Sequence, residues 1–130
     1  MLTNERPYAY IVQNEFYILI EMKQIIRFHF DKKRNVVGYI TVALSDAGMH
    51  ILSYLLSKSK SQRLFPKDEI LAEVMDSIYA YSTNQKLWYI LNELKSRLNS
   101  VGLPDDFITQ QRAKGVSVGP YQITELYSRN

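Results

Sequence analysis

The sequence has no cysteine among its 130 residues, which excludes disulfide bonds, thiolate metal sites and cysteine nucleophiles. It has no apolar run that approaches the roughly 18 residues of a membrane-spanning helix. Its first ten residues, MLTNERPYAY, lack the basic and then apolar order of a signal peptide. These absences predict a soluble, cytoplasmic protein.

Residue patterns typical of catalytic or metal sites are also missing. No glycine-rich phosphate loop and no Ser–His–Asp arrangement can be assembled from the sequence. His29 and His50 fall on different predicted elements with no carboxylate at ligand spacing, so we expect them to be structural. The adjacent Asp105 and Asp106 fit a turn better than a metal site or a catalytic pair. We therefore predict a non-enzyme with no metal and no cofactor.

The composition is that of one globular domain with a mild basic excess. The length fits a single domain, and 46% of the residues are hydrophobic, which is enough for a core. The net charge is +3 and the isoelectric point about 9.1, compatible with a polyanionic partner without being diagnostic. We predict residues 1–15 as an irregular lead-in and residues 16–127 as the single domain.

The N-terminal third has the patterning of β-strands. Residues 10–22 are apolar and β-prone, most densely from Phe16 onward, and residues 24–30 alternate apolar with polar side chains. A polar turn, DKKRN at 31–35, separates them from a second β-prone run at 36–44. This arrangement predicts an antiparallel hairpin or meander.

Two helices are predicted next, each from signals at its start. Ser45 is suited to cap the first helix, and Asp46 lies in the first turn, where the helix dipole favours an acid. After the basic loop SKSKSQR at 57–63, Pro66 suits the start of the second helix. The apolar sides of the two helices are Met49, Ile51, Leu52, Leu55 and Leu56, and Ile70, Leu71, Val74 and Met75.

A third helix, over residues 82–102, is predicted by its start, its apolar stripe and its stop. Ser82 and Gln85 form a capping-box pattern. Gly102 suits the left-handed position that follows a helix, and Pro104 prevents continuation. Alternating steps of four and three place Leu87, Leu91, Leu94, Leu98 and Val101 on one side.

The opposite face of this helix is polar and partly aromatic, which indicates that it contacts another molecule. Tyr89, Asn92 and Ser96 point directly away from the leucine stripe, and asparagine suits bidentate pairing with adenine, although an exposed asparagine is usually only solvated. Trp88 either contacts a nucleic-acid groove or packs against the second helix or the connecting loop. This outer side also carries Gln85, Lys86, Lys95 and Arg97.

Two short β-prone pieces, residues 107–111 and 116–123, follow on either side of the basic turn RAKG. Strands, three helices and a basic hairpin are the layout of a winged helix-turn-helix. In that fold the third helix enters the major groove, and the wing reaches the adjacent backbone or minor groove. The sequence thus predicts an α+β fold with N-terminal antiparallel strands, three helices and a C-terminal β-hairpin wing. Candidate wing contacts are Gln110, Arg112 and Lys114.

From Leu44 onward the sequence resembles the OmpR/PhoB-type winged-helix DNA-binding domain. LSDAGMHILSYLL resembles the first helix of that family, LFPKDEILAEVM the second, and LWYILNELKSRL the recognition helix. In FITQQRAKGVSVGPYQI, Arg112 and Gly115 match the Arg-Gly-x-Gly turn of the wing. The resemblance spans about residues 24–123. The sequence departs from the family pattern at Met75, Asn92, Glu93, Ala113 and Val116.

The resemblance implies a transcriptional regulator that binds double-stranded DNA. Tyr89, Asn92 and Ser96 would contact base edges. Two copies would bind tandem half-sites as a homodimer, and the loop Asp76–Tyr81 would contact RNA polymerase. With no receiver domain before it, the domain resembles the ToxR/CadC branch, either as a stand-alone regulator or as the cytoplasmic part of an inner-membrane regulator. Candidate phosphate contacts are Lys86, Lys95, Arg97, Arg112 and Lys114.

A second hypothesis is that the same fold serves as a protein-interaction module, since fold does not determine function. Glu93 would repel phosphates, the net charge is modest, and Trp88 and Tyr89 are aromatic. A continuous positive band across helix and wing would favour DNA, whereas an apolar patch around the two aromatic residues would favour a protein partner.

Overall fold

The structure is a computed structural model that describes residues 6–75, 84–111 and 113–128. It begins with four strands, continues with helices, and ends with three further strands. The elements are β1 (Ala9–Val12), β2 (Phe16–Leu19), β3 (Gln24–Phe30), β4 (Val36–Ala43), α1 (Asp46–Lys58), β5 (Leu64–Phe65), α2 (Lys67–Ile70) with a π-helical turn (Leu71–Met75), α3 (Asn84–Ser100), β6 (Ile108–Gln111), β7 (Gly115–Val118) and β8 (Ile123–Leu126).

The N-terminal strands form most of a five-stranded antiparallel sheet in the order β4-β3-β2-β1-β8. Gln13 and Asn14 have φ angles of 55° and 57°, as in a type I′ turn, and this turn divides the predicted run 10–22 into β1 and β2. It also corrects the prediction of an irregular lead-in over residues 1–15. Strand β1 lies inside that range and pairs with β2 on one side and with β8 on the other.

The last strand, β8, belongs to the N-terminal sheet. The sequence predicts one β-prone piece at 116–123, but β7 ends at Val118 and the chain leaves the wing at Gly119 and Pro120. β8 then pairs with β1, and Leu126 lies opposite Ala9. Local alternation does not reveal this partner, because the two strands are far apart in the chain.

The core lies between this sheet and the helices. The Ser45 Oγ accepts a hydrogen bond of 3.0 Å from the N–H of Gly48, which confirms the predicted cap of α1. Helix α2 is only four residues long before its π-helical turn, whose Val74 and Met75 are buried. The predicted cap at Ser82 lies outside the described residues. The stripe on and just after α3 is buried as predicted: Leu87, Leu91, Leu94, Leu98 and Val101.

Strands β6 and β7 form the predicted hairpin, and β5 adds a third strand in the order β5-β7-β6. Phe65 pairs with Val116, and Leu64 pairs with Ser117. Two residues are too few to show alternation, so β5 has no signal in the sequence. The wing is therefore fastened to the segment that precedes α2. The N-terminal strands, helices and C-terminal hairpin make an α+β arrangement.

Candidate nucleic-acid interface

The outer face of α3 is uncovered. Tyr89 is 69% exposed, and Asn92 and Ser96 are also exposed, while Leu91 on the opposite side is buried. The helix is 17 residues long, about 25 Å at 1.5 Å per residue. A surface of this length and polarity is geometrically free to meet another molecule.

Trp88 lies at the boundary between this face and the interior. It is half-buried and packs against the hydrophobic core. Of the two roles left open by the sequence, the packing role is the one that its contacts support. Tyr89, the next residue, is therefore the exposed aromatic side chain of the helix.

The basic residues of α3 differ in exposure. Lys86 and Lys95 are half-buried, whereas Arg97 is exposed. The Nη1 of Arg97 lies 3.5 Å from the carbonyl oxygen of Ala43, a long hydrogen bond to the end of β4. Glu93 is exposed on the same helix and places one negative charge among these cations.

The turn of the wing is shaped by a glycine. Gly115 has a φ of +126°, and a Cβ at this position would lie 2.1 Å from the carbonyl oxygen of Phe65. Only glycine permits both this backbone conformation and this close approach to β5. Lys114 is exposed beside it, and its N–H donates a 2.8 Å hydrogen bond to the carbonyl of Gln111. Arg112, the other predicted wing contact, lies outside the described residues.

Gln110 is less accessible than the wing prediction expects. It is half-buried, and its Nε2 is buried without a hydrogen-bond partner among the described residues. Its partner across the hairpin is the buried Val116. Gln110 therefore supports the interior of the wing more than its outer surface.

Arg63 supports the wing from the neighbouring loop. Its Nη1 donates a 2.7 Å hydrogen bond to the carbonyl of Gly119, and its carbonyl accepts one of 2.9 Å from the N–H of Val118. The basic loop 57–63 is therefore joined to the end of β7. One arginine in a serine-rich loop carries no sequence signal for this contact.

Two other basic residues, Lys60 and Lys23, form ion pairs within the protein. Lys60 forms a 2.9 Å ion pair with Glu125, and this hydrogen bond raises the pKa of the lysine. Lys23 forms a 2.7 Å ion pair with Asp46, and its hydrogen bond lowers the pKa of the aspartate. By contrast, the structure as described contains no ion pair at Lys95, Arg97 or Lys114.

A cleft of about 690 Å³ lies between the N-terminal sheet and α1. Tyr10, Tyr54, Glu73 and Glu125 are among its lining residues, and α3 contributes none. Burial, with Glu125 and Tyr127 nearby, raises the pKa of Tyr10 to about 12.

Neither a metal site nor a membrane span is found among the described residues. No group of three or more acidic or histidine side chains there is placed to hold a metal ion. None of the helices described is both long enough and apolar enough to span a bilayer.

The comparisons with known proteins bear on the fold. No protein-family model and no curated protein matches the sequence. Among solved structures, the chain is similar to the DNA-binding domain of E. coli CadC, with a TM-score of 0.65, 16% identity, and coverage of 93% of this chain and 98% of that chain. At this identity the likeness establishes the fold alone. The chain therefore has a winged-helix fold, and the predicted fold class is confirmed.

Proposed function

We propose that this chain is a sequence-specific DNA-binding domain of a transcriptional regulator. The observation that carries the proposal is the uncovered outer face of α3, where Tyr89, Asn92 and Ser96 are exposed. A helix about 10–12 Å across fits a major groove about 12 Å wide. The likeness in fold to the DNA-binding domain of E. coli CadC supports the same role.

In this proposal α3 lies in the major groove and the wing lies on the adjacent backbone or minor groove. Asn92 pairs with a base edge, and Tyr89 and Ser96 contact neighbouring bases. The cations of the helix and the wing neutralise phosphates, and Arg112 reaches toward the minor groove. The phosphate contacts are Lys86, Lys95, Arg97, Arg112 and Lys114.

The first experiment separates phosphate contact from background charge. Duplex sites are selected with the purified chain, and affinity is then titrated against salt concentration. Lys114→Gln and Arg112→Ala should each flatten the slope of log affinity against log salt by about one unit. The matched control is Lys32→Gln, which removes the same charge from the exposed β3–β4 turn. Equal slopes for all four proteins would show that the wing does not contact phosphate.

The second experiment tests base readout by α3. Asn92→Ala should lose about 1–3 kcal/mol of discrimination at one base pair, while binding to unrelated DNA changes little. Glu93→Gln serves as the control on the same helix, because it removes a repulsive charge and should tighten binding to all sequences. An Asn92→Ala variant with unchanged site preference would exclude Asn92 from base readout.

Two partners of the DNA-bound state belong to the same proposal. Two copies bind tandem half-sites, and residues 76–81, which lie outside the described residues, contact RNA polymerase. Selected DNA should then carry direct repeats. Substitutions within 76–81 should reduce transcription from a bound template without reducing DNA affinity.

The second candidate function is a protein-interaction module, which the exposure of Tyr89 and Glu93 on one face favours. A chain of this kind would select no DNA sequence, and its weak DNA affinity would be unchanged by Asn92→Ala. Tyr89→Ala would instead abolish capture of the protein partner, because exposed tyrosines are frequent anchors of interfaces.

A further inference from the structure

Strand β4 is an unusually apolar sheet edge. It lies at the end of the five-stranded sheet, and no described residue pairs with its outer side. Its eight residues, VVGYITVA, include no charge and no proline. Natural sheets normally protect an edge of this length with lysine, proline or a covering segment, because unpaired N–H and C=O groups accept another strand. β4 contains neither lysine nor proline, and α3 reaches it at Ala43 through Arg97.

Exposed apolar side chains concentrate at this edge. Of the ten large hydrophobic side chains that are exposed in the described parts of the chain, five lie within residues 30–40. Val37 and Tyr39 are each 65% exposed and Val36 is 56% exposed. Because successive side chains of a strand alternate, apolar side chains are exposed on both faces of this edge.

An aromatic row leads across the sheet to the same edge. The rings of Tyr17 and Phe28 are 5.2 Å apart, and those of Phe28 and Tyr39 are 6.3 Å apart. Phe28 and Tyr39 are directly opposite each other on β3 and β4. The row therefore ends at Tyr39, where a further strand would continue it on the same face.

The two ends of β4 differ in charge. The basic residues Lys32, Lys33 and Arg34 precede the strand, whereas Asp46, which follows it at the start of α1, forms an ion pair with Lys23 and keeps its side chain 76% exposed. If two copies of β4 pair antiparallel, the basic turn of each copy approaches Asp46 of the other. A parallel pairing would instead bring the two basic turns together. Antiparallel pairing with a second copy therefore keeps the two basic turns apart and places each of them near an exposed carboxylate.

We propose that two copies of this chain associate through antiparallel pairing of their β4 strands, with the two-fold axis close to Tyr39, to form one continuous ten-stranded sheet. The bulge opposite Phe30, where the register shifts, lies near the start of β4 and leaves residues 38–43 in regular pairing. The contact is isologous, so it is distinct from a tandem arrangement on DNA. It leaves Tyr89, Asn92 and Ser96 uncovered, meets the proposed DNA interface where Arg97 hydrogen-bonds to Ala43, and stands without the proposed function.

The size of the contact sets the strength of the association. Eight paired residues extend about 27 Å at 3.4 Å per residue, and such a strip buries less than the roughly 800 Å² per partner of a standard interface. We therefore expect a weak dimer whose population depends on protein concentration.

The absence of cysteine allows a position-specific test. A single cysteine introduced at Tyr39 can form a disulfide only with a second copy, and directly opposite residues of paired strands have the Cα separation that a disulfide requires. Under mild oxidation Tyr39→Cys should give at least ten times more covalent dimer than Tyr127→Cys, whose native side chain is also exposed but lies beyond β8 at the other edge of the sheet. Equal yields from the two variants would overturn the proposal.

Sedimentation equilibrium of the unmodified chain gives an independent measurement. The average mass should rise with concentration above the 15.2 kDa of one chain, and Val37→Lys and Tyr39→Lys should each hold it at that value. Tyr127→Lys, which adds the same charge beyond β8 at the other edge of the sheet, should behave as the parent does. A parent that stays at the single-chain mass throughout, or lysine variants that associate equally well, would also exclude the β4 contact.

Discussion

The guanidinium of Arg27 in β3 donates a 3.2 Å hydrogen bond from its Nη1 to the carbonyl of Val101, just beyond the end of α3. The same side chain forms an ion pair with Glu15, and its guanidinium carbon lies 5.1 Å from the centre of the Phe16 ring. Arg27 thus joins the N-terminal sheet to the end of the helix that carries the candidate interface. It also satisfies a carbonyl that a helix end leaves without an intrahelical partner.

Removing this side chain should destabilise the protein. Arg27→Ala loses the hydrogen bond, the ion pair and the stacking on Phe16, and should cost about 1–3 kcal/mol of unfolding free energy in urea denaturation. Arg34→Ala is the control, because Arg34 is exposed and its guanidinium lies over the ring of Phe30 in the same sheet. Similar losses for the two variants would show that the link to Val101 contributes nothing measurable.

Gly102 should tolerate no side chain, whereas Gly38 should. Gly102 has a φ of +101°, and a Cβ there would lie 2.1 Å from the Nη1 of Arg27; a Cβ at Gly38 would meet nothing within 4 Å. Gly102→Ala should therefore cost more than about 1 kcal/mol, and Gly38→Ala close to nothing. In the Arg27→Ala background part of the Gly102→Ala cost should disappear, because the steric conflict is gone and only backbone strain remains. Additive losses would contradict the contact.

The leucine stripe should dominate the stability of α3, and its outer face should contribute little. Leu91→Ala leaves a cavity in the core and should lower the free energy of unfolding by about 2–5 kcal/mol. Tyr89→Ala should change it by no more than about 0.5 kcal/mol. Thermal and urea unfolding measure both. A large loss on truncating Tyr89 would mean that its ring supports the fold and is not available to a partner.

Tyr10 should make the fold sensitive to alkali. Burial raises its pKa to about 12, above the value near 10 of an unfolded chain. The folded state therefore holds the phenol proton more tightly. The stabilisation is complete below about pH 10 and is lost as the pH rises toward about 12.

The variant Tyr10→Phe should lose stability less steeply between about pH 10 and about pH 12. Some dependence should remain, because burial and the hydrogen bond to Glu69 also raise the pKa of Tyr54. Urea titrations across this range measure the two slopes. Identical slopes in parent and variant would assign the alkaline transition to other groups.

The sequence predicts the parts of the fold that depend on residues close together in the chain. The stripe on α3, the cap at Ser45 and the exposure of Asn92 all follow from residues within a few turns of each other, and the structure agrees with each. The split between β1 and β2 is missed, because the positive φ angles of Gln13 and Asn14 follow no glycine or proline signal.

Part of the candidate interface is predictable, because the spacing of residues along a helix is also a local property. Helical periodicity alone is enough to place Tyr89, Asn92 and Ser96 on the outward side of α3. Trp88 and Gln110 lie at boundaries, where a neighbouring element decides between exposure and packing. The wing residue Arg112 and the base contacts remain predictions.

Residue order along the chain was sufficient for the helices, the polar face of α3 and the α+β class, because these depend on spacings of a few residues. The pairing of β8 with β1, the third strand of the wing, and the unpaired apolar edge at β4 depend on contacts between distant segments. Such contacts form only when distant segments pack into one core. The residue pattern of a single strand does not indicate which other strand will pair with it, or whether it will lie at the edge of the sheet.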